Sequence, residues 1–102
     1  MLFELRRYPF LPAVIEGAPE QAGVYVLWEG DELTYIGAAG PGTMTIKSRL
    51  LEHLRGEDHC SCSPTHYGWR LARHPQALER ELLDQHQAKL QDAPRCNKAG
   101  AK

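Results

Sequence analysis

Residues 23–37, GVYVLWEGDELTYIG, carry the pattern of a β-hairpin. Two runs rich in Val, Tyr, Leu, Trp and Ile, which favour strands, flank the acidic, glycine-containing turn EGDE. If Gly30 is the centre of the turn, Tyr25 and Tyr35 stand directly opposite each other, with their Cβ atoms about 5 Å apart. A turn centred half a residue away places them on opposite faces, because side chains alternate along a strand. Cross-strand tyrosines are more often packing residues than reactive groups, so the pattern alone leaves their role open.

Two helices are predicted after the hairpin. Either Thr43 or Thr45 can cap the first helix, over IKSRLLEHLR, and Gly56 ends it. Pro75 suits the first turn of the second helix, which runs through QALERELLDQHQAKL to about Leu90.

A third strand and a lead-in complete the predicted organisation. YGWRLA, residues 67–72, has the composition of a strand. Residues 1–18 are punctuated by Pro and Gly and predict a lead-in with one short extended piece near residues 2–8. The order β-β-α-β-α predicts an α/β (α+β) domain over residues 19–98, with helices packed on a small three-stranded, mostly antiparallel sheet. Residues 99–102 follow it as a short tail.

The charge of the chain limits how it can bind nucleic acid. Its 12 basic and 13 acidic side chains give a formal net charge of −1, without the basic excess that phosphate contacts usually require. Binding would then depend on a local patch, a DNA-binding partner protein or a homo-oligomer. Glu4, Arg6 and Arg7 argue against a secretory segment, and no apolar run approaches the roughly 18 residues of a membrane span. We therefore expect a cytoplasmic protein with no membrane partner.

The segment HCSCSPTH concentrates His59, Cys60, Cys62 and His66, and Cys96 follows near the end of the chain. Three cysteines without an export signal favour free thiols or a metal site over a disulfide framework. Zinc is disfavoured, because the C-x-C spacing is tighter than that of a structural zinc site. A small zinc-binding interaction domain built on this segment is one alternative hypothesis, which stoichiometric zinc in the purified protein would support.

The second predicted helix carries a carboxylate in its apolar stripe. On a helical wheel, Glu79 falls between Leu82 and Leu83. The apolar side chains that define the buried direction are Leu78, Leu82, Leu83 and Leu90. A buried carboxylate is costly unless it is paired, hydrogen-bonded or bound to a cation. Glu79 is therefore predicted to have a partner such as an arginine or to bind a hard cation, unless the helix register differs from the prediction.

The first predicted helix places Arg49 and His53, four residues apart, along the edge of its buried stripe. An edge pair of this kind either lines a cleft between helix and sheet or belongs to a solvated flank. The stripe itself consists of Ile46, Leu50, Leu51 and Leu54.

Taken together, these motifs resemble the GIY-YIG nuclease family. Gly23-Val24-Tyr25 and Tyr35-Ile36-Gly37 match its two signature tripeptides. RLLEH matches the family's helical RxxxH, ALERELL matches its glutamate-bearing helix, and PRCN matches its closing PxxN. The resemblance runs from about residue 19 to residue 98. The motif residues are Tyr25, Tyr35, Arg49, His53, Glu79 and Asn97.

The resemblance implies a divalent-metal-dependent endonuclease that cleaves phosphodiester bonds in DNA, with branched or damaged DNA and DNA repair among the family's contexts. Glu79 would hold a single Mg²⁺ or Mn²⁺. Tyr25 would act as general base on the attacking water, helped by nearby positive charge. Arg49 would neutralise charge on the phosphate, and Tyr35 and His53 would orient the water or the phosphate.

Three further residues have supporting roles in this interpretation. Asn97 would order the site, and Gly37 would let the backbone come close to the substrate. Lys47 is the first basic residue after the second tripeptide and is predicted to contact the substrate.

The alternative within the same fold is a catalytically weak or inactive binding module that a partner protein recruits to nucleic acid. The near-zero net charge favours it, and so does AAGPGTMT, the uncharged segment at the end of the hairpin. Motif residues alone do not separate the enzyme from the module.

Overall fold

Four antiparallel strands form one sheet in the computed structural model of the protein, which describes residues 5–40, 42, 44–55, 63–90, 94 and 96–97. The strands are β1 (Tyr8–Pro9), β2 (Gly23–Glu29), β3 (Glu32–Ala39) and β4 (His66–Leu71), in the spatial order β1-β4-β2-β3. The helices of the described residues are α1 (Pro12–Ile15), α2 (Ile46–Leu54) and α3 (Pro75–Leu90). The architecture is α+β, as predicted, but the predicted count of three strands is wrong.

The additional strand comes from the segment predicted to be a lead-in. Tyr8 of β1 pairs with Tyr67 of β4, and Pro12 then begins α1. Ile15 and Ala18 are both buried in the same core cluster as Tyr67. The segment from Tyr8 onward therefore belongs to the core of the domain. A two-residue strand has no side-chain period, so the sequence pattern could not identify its pairing.

The hairpin turns at Gly30 and Asp31. Glu29 pairs with Glu32 across the turn, so the loop has two residues. Gly30 adopts a φ of 64°, in the left-handed region that favours glycine. The turn is therefore centred between residues 30 and 31, half a residue beyond Gly30. In a regular ladder this centre would place the two hairpin tyrosines on opposite faces.

A β-bulge at Thr34 reverses that outcome. The register shifts by one residue there, so that Leu27 pairs with Tyr35 and Tyr25 pairs with Gly37. Thr34 is fully buried, and its hydroxyl donates to the carbonyl oxygen of Leu27 at 3.3 Å. Tyr25 and Tyr35 consequently lie on the same face as diagonal neighbours, and they are not directly opposite each other.

The two faces of the sheet pack against different helices. We call the face that carries Tyr25 and Tyr35 the tyrosine face, and the opposite face, which carries Val24 and Val26, the α3 face. α1 and α2 cover the tyrosine face, whose core consists of Ile15, Ala18, Tyr25, Leu27, Ala39, Ile46, Leu50 and Tyr67. α3 covers the other face, whose core consists of Val24, Val26, Trp28, Leu33, Ile36 and Leu82. Because β2 is buried on both faces, its sequence is almost continuously apolar.

α2 begins with a capping box. The Thr45 hydroxyl accepts a hydrogen bond from the backbone N–H of Ser48, and the Ser48 hydroxyl accepts one from the N–H of Thr45. Of the two predicted capping residues, Thr45 is therefore the one the structure describes in that role. Thr43 and Gly56, the predicted helix stop, lie outside the described residues.

α3 begins at Pro75 and ends at Leu90, as predicted. Leu82 is buried against the sheet, but Leu90 is 54% exposed, so its predicted burial is wrong. The last turn, residues 87–90, is exposed throughout, and His86 is the last buried residue of the helix. Within the described ranges, none of the helices combines the length and the apolarity that a membrane span requires.

Candidate functional site

An aromatic cluster on the tyrosine face brings together three residues that the sequence predicts for the site. The Tyr25 hydroxyl and His53 Nε2 lie 3.0 Å apart, within hydrogen-bonding distance. The ring centroids of Tyr25 and Tyr35 are 5.9 Å apart. The His53 ring lies 5.4 Å from that of Tyr25 and 5.0 Å from that of Tyr35. Two tyrosines from the bulged hairpin and a histidine from α2 therefore form one contiguous group.

Tyr25 is the buried member of this cluster. Its side chain is 0% exposed, whereas Tyr35 and His53 are partly exposed. Burial, followed by the neighbouring Tyr35, raises the pKa of the Tyr25 phenol well above its ordinary value, and Arg49 opposes the rise only in part. The phenol is therefore protonated near neutral pH. The expectation that nearby positive charge would make Tyr25 easier to ionise is wrong, because desolvation outweighs the guanidinium.

Arg49 lies beside the cluster and is held by a residue that the sequence analysis missed. Its Nη1 donates to Oε1 of Glu52 at 3.0 Å, one turn further along α2. The Arg49 Nε is buried and has no hydrogen-bond partner among the described residues. Arg49 is therefore anchored on Glu52 through Nη1 and also interacts with the Tyr25 hydroxyl, whereas its Nε has no described partner. The signal that could have identified Glu52 is its i,i+3 spacing from Arg49 on a predicted helix.

Gly37 leaves room for the two tyrosine rings. A Cβ atom at this position would lie 2.6 Å from both Cζ and the hydroxyl oxygen of Tyr25, and 2.7 Å from Cε2 of Tyr35. Contacts this short would force the rings or the strand to move. The space above Gly37 is thus filled by side chains of the cluster, and it is not the open approach for substrate that the sequence analysis expected.

Glu79 lies on α3, within electrostatic range of Arg49. It is half-buried, and burial raises the pKa of its carboxyl above the ordinary value, an effect that the Arg49 guanidinium opposes. Gln76, one turn earlier, ties the start of α3 to the end of β3 by donating to the Gly40 carbonyl at 2.9 Å. In the described part of the chain, the Glu79 carboxylate makes no hydrogen bond or ion pair. Glu79 is therefore a half-buried carboxylate within electrostatic range of Arg49.

Asn97 binds the backbone of the edge strand β3. Its Oδ1 accepts the N–H of Ile36 at 2.8 Å, and its Nδ2 donates to the Ile36 carbonyl at 2.9 Å. The side-chain amide thereby takes the place of a neighbouring strand at this position. Because Ile36 lies between Tyr35 and Gly37, Asn97 holds the part of β3 that builds the cluster.

Lys47 lies outside the cluster. Its ammonium group forms ion pairs with Glu16 at 3.2 Å and with Glu20 at 3.4 Å. Both carboxylates follow α1 in the chain, so the pairs connect that segment to the first turn of α2. The predicted contact of Lys47 with substrate has no support in this arrangement, because two carboxylates already neutralise the ammonium group.

The cysteine-rich segment is described only in part. His59, Cys60 and Cys62 lie outside the described residues, and His66 belongs to β4. Cys96 is buried and disulfide-bonded, so the expectation of a free thiol at this position is wrong. Neither the number of cysteines nor the absence of an export signal predicts which of them the fold brings together.

The described residues contain no group of three or more His, Cys, Asp or Glu side chains placed to hold a metal ion. A hard cation such as Mg²⁺ does not need such a group, since it takes few protein ligands and keeps several waters. A single half-buried carboxylate with no described partner has the donor chemistry for a cation of that kind. Glu79 therefore fits the predicted divalent cation.

Comparison with protein-family profiles, with curated proteins and with solved structures finds no match to this chain.

Proposed function

We propose that this protein is a divalent-metal-dependent endonuclease of the GIY-YIG type that cleaves phosphodiester bonds in DNA, with branched or damaged DNA as candidate substrates. One observation carries the proposal, namely the convergence of chemically complementary groups from β2, β3 and α2 at one place on the tyrosine face. The groups are Tyr25, Tyr35, Arg49 and His53, with Glu79 approaching from α3. An anion-binding guanidinium, a proton-transfer pair and a carboxylate are the groups that metal-assisted phosphodiester hydrolysis requires.

Arg49 would bind the scissile phosphate. Glu52 holds Nη1 at 3.0 Å and keeps the guanidinium beside the cluster, while the buried Nε has no partner among the described residues. A buried donor without an acceptor costs about 1–3 kcal/mol, and a phosphate oxygen would satisfy it. Charge-assisted hydrogen bonds from the guanidinium would then stabilise the charge that develops on the phosphate in the transition state.

The proton of the attacking water would leave through Tyr25 and His53. Because the pKa of Tyr25 is raised, a free phenolate is unfavourable near neutrality. The phenol would accept the water proton only as its own proton moves to Nε2 of His53, 3.0 Å away. Histidine has an ordinary pKa of about 6.5 and is a suitable acceptor when its ring proton is on Nδ1. As the water oxygen bonds to phosphorus and the bond to the leaving 3′ oxygen breaks, Tyr25 would remain neutral.

Glu79 would hold the divalent cation. Its raised pKa shows that burial disfavours the ionised carboxylate, and a bound cation would offset that cost. When bound, Mg²⁺ or Mn²⁺ supplies Lewis-acid stabilisation of charge on the phosphate and the leaving oxygen. Tyr35, which is partly exposed, would orient the water, and Asn97 would keep β3 in place behind it.

A binding module without catalytic activity is the second candidate function. The observation that favours it is the complete burial of Tyr25, since a general base has to contact the water that it activates. In such a module Arg49 would still bind a backbone phosphate, whereas Tyr25 would serve only as a packing residue. A partner protein would then supply most of the affinity, consistent with the net charge of −1.

Cleavage of a panel of labelled nucleic acids tests the proposal. The panel contains linear, nicked, flapped and four-way-junction DNA and single-stranded RNA, each with Mn²⁺ or Mg²⁺ at low salt. Wild type is compared with Glu79→Gln and with the control Tyr67→Phe. Tyr67 lies on the same face, but its hydroxyl donates to the Val14 carbonyl at 3.0 Å, outside the cluster.

We expect wild type and Tyr67→Phe to cut at least one DNA substrate and Glu79→Gln to cut none. Cleavage by Glu79→Gln at the wild-type rate would contradict the role of the carboxylate. Binding of DNA by a folded wild type that cuts no member of the panel would replace the nuclease with the binding module.

A further inference from the structure

Tyr8 and Trp69 form an aromatic ledge on the tyrosine face. Their ring centroids are 6.4 Å apart, and the ring planes differ by only 8°. Tyr8 also stacks on Tyr67, with centroids 5.4 Å apart and planes at 29°. Tyr8 and Trp69 are partly exposed, whereas Tyr67 is buried and anchors the ledge from the core. The result is a pair of nearly parallel, partly exposed rings on the β1–β4 side of the tyrosine face.

The aromatic ledge is next to the proposed site. Trp69 of β4 is the direct cross-strand partner of Tyr25 in the central strand β2. Side chains in such a pair share a face, with their Cβ atoms about 5 Å apart. β3, which carries Tyr35, lies on the other side of β2. Tyr25 itself is buried, so a ligand bound at the ledge would reach the cluster through its partly exposed members, Tyr35 and His53.

Stacking, and not charge, is the main interaction that the ledge offers to a ligand. Arg6, two residues before Tyr8, is exposed, and its backbone carbonyl lies against Gly68, the neighbour of Trp69. Arg7 is engaged elsewhere, with its guanidinium 4.8 Å from the Trp28 ring. With a net charge of −1, phosphate contacts supply little affinity, whereas stacking of bases on aromatic rings does not depend on net charge.

We propose that the aromatic ledge stacks an unpaired nucleobase of the nucleic acid whose phosphate lies at Arg49. This inference rests on the proposed function, because it takes nucleic acid as the ligand. Bases in a continuous duplex are stacked on each other and offer no free face to a ring on the protein surface. Single strands, flaps and branch points do offer one. The ledge thus selects nucleic acid with an unpaired segment over an uninterrupted duplex.

The two tryptophans of the chain make the ledge directly observable. Trp28 is 0% exposed on the α3 face, whereas Trp69 is partly exposed on the ledge. A base stacked on Trp69 quenches its fluorescence, and Trp28 contributes a constant background. The probe is a single-stranded oligothymidylate of about eight nucleotides, within the usual range of single-strand site sizes. The matched control is an abasic chain with the same number of phosphates, and both are measured in EDTA so that nothing is cleaved.

We expect the thymidylate to quench Trp69 and the abasic chain to leave it unchanged. Tyr8→Leu should weaken thymidylate binding by about 5- to 150-fold, the range that loss of one base–aromatic stack produces. Tyr8→Phe keeps the ring and should bind as wild type does. Trp69→Phe should remove the quenching, which assigns the signal to Trp69 and not to Trp28; if Tyr8→Leu does not fold, as judged from its thermal unfolding, the comparison of thymidylate with the abasic chain on wild type still tests the inference.

The possible outcomes distinguish a failure of the stacking proposal from a failure of the nuclease proposal. Equal binding of the thymidylate and the abasic chain would overturn the inference even if wild type cleaves DNA. Quenching that persists in Trp69→Phe would overturn it as well. Base-dependent quenching that Trp69→Phe abolishes would support the ledge, even in a protein that cleaves nothing, and the nuclease proposal alone would then fail.

Discussion

The two faces of the sheet are built on the same strands, but they bury different chemistry. β2 contributes Val24 and Val26 to the α3 face and Tyr25 to the tyrosine face. On the tyrosine face, buried hydroxyls have partners: Tyr25 lies 3.0 Å from His53, and Tyr67 donates to a backbone carbonyl. The core of the α3 face is aliphatic apart from Trp28. Polar groups are costly to bury unless they are hydrogen-bonded, so the tyrosine face combines an apolar core with a hydrogen-bonded polar cluster, whereas the core of the α3 face is almost entirely apolar.

Two buried N–H groups without a hydrogen-bond partner among the described residues, one near each face, differ in kind. On the α3 face it is Nε1 of Trp28, a residue that is 0% exposed. On the tyrosine side it is Nε of Arg49, whose side chain is 33% exposed. Only Arg49 belongs to a side chain that a ligand can reach. This difference is why the proposed function uses Arg49, and not Trp28, to bind a ligand.

Truncating one core leucine on each face should reduce stability similarly but affect cleavage differently. Leu82 on the α3 face is 2% exposed, and Leu50 on the tyrosine face is 0% exposed. Replacing either by Ala should lower the free energy of unfolding by about 2–5 kcal/mol, measured by urea denaturation. At a temperature where both variants are folded, Leu50→Ala should cleave more slowly than Leu82→Ala, because Leu50 seats the helix that carries Arg49 and His53. Equal cleavage rates would show that the position of α2 does not matter to the site.

Adding a methyl group to one glycine on each face extends the comparison. Gly37→Ala places a Cβ 2.6 Å from the Tyr25 ring, and Gly68→Ala places one 2.8 Å from the Arg6 carbonyl and 3.0 Å from the Trp28 ring. Overpacking of this kind costs about 1–3 kcal/mol of stability in each case. Only Gly37→Ala should also abolish cleavage and shift the tyrosine resonances in an NMR spectrum. A Gly68→Ala variant that is folded but inactive would argue against a separation of roles between the faces.

Removing one tyrosine hydroxyl inside the cluster and one outside it distinguishes an effect on the cleavage reaction from an effect on stability. Tyr25→Phe and Tyr67→Phe should each lower the free energy of unfolding by about 0.5–1.5 kcal/mol, the usual value of a hydrogen bond. If Tyr25 transfers the water proton, Tyr25→Phe should slow cleavage by about 10²- to 10⁴-fold. Tyr67→Phe should cleave at the wild-type rate. Loss of activity in both variants, with both folded, would indicate a general effect of the aromatic core.

The smallest change in stability is expected for Glu79→Gln, and its sign depends on pH. The pKa of Glu79 is raised in the folded protein, so the carboxyl adds no penalty below its unfolded pKa of about 4.3, where it is protonated in both states. As pH rises through the higher folded-state pKa, wild type loses stability relative to Glu79→Gln. In EDTA, melting temperatures should therefore favour the variant at pH 7 and converge near pH 4. Mg²⁺ should raise the melting temperature of wild type alone. A variant less stable than wild type at pH 7 in EDTA would indicate a stabilising partner for the carboxylate.

Local residues were sufficient to predict most elements of the fold. Thr45 caps α2 and Pro75 begins α3 because both effects depend only on neighbouring backbone groups. The helical wheel placed Glu79 near the buried direction of α3, and the structure finds it half-buried there. β1 escaped prediction because Tyr8–Pro9 is a strand only by virtue of its pairing with β4.

Residue spacing alone led to two wrong expectations, the burial of Leu90 and the availability of Lys47 for substrate. The buried direction of α3 was defined partly by Leu90, which is exposed, whereas His86, which lies close to that direction on the wheel, is buried. Lys47 looked available for substrate until the folded chain brought Glu16 and Glu20 to it. The exposure of Leu90 depends on where the sheet ends, and the ion pairs of Lys47 depend on a segment far from it in the chain. The spacing of residues in the sequence predicts neither.

The sequence by itself determined the order of the elements and the residue types of the site, because strand composition, helix caps and motif spacing are local properties. Whether Tyr25 and Tyr35 share a face was left to the folded structure. A two-residue turn would have separated them, and the bulge at Thr34 restored them to one face. The protonation of Tyr25 was settled in the same way, since burial beneath the cluster raises its pKa despite Arg49. Register and desolvation depend on contacts between distant parts of the chain, so only the three-dimensional arrangement could decide them.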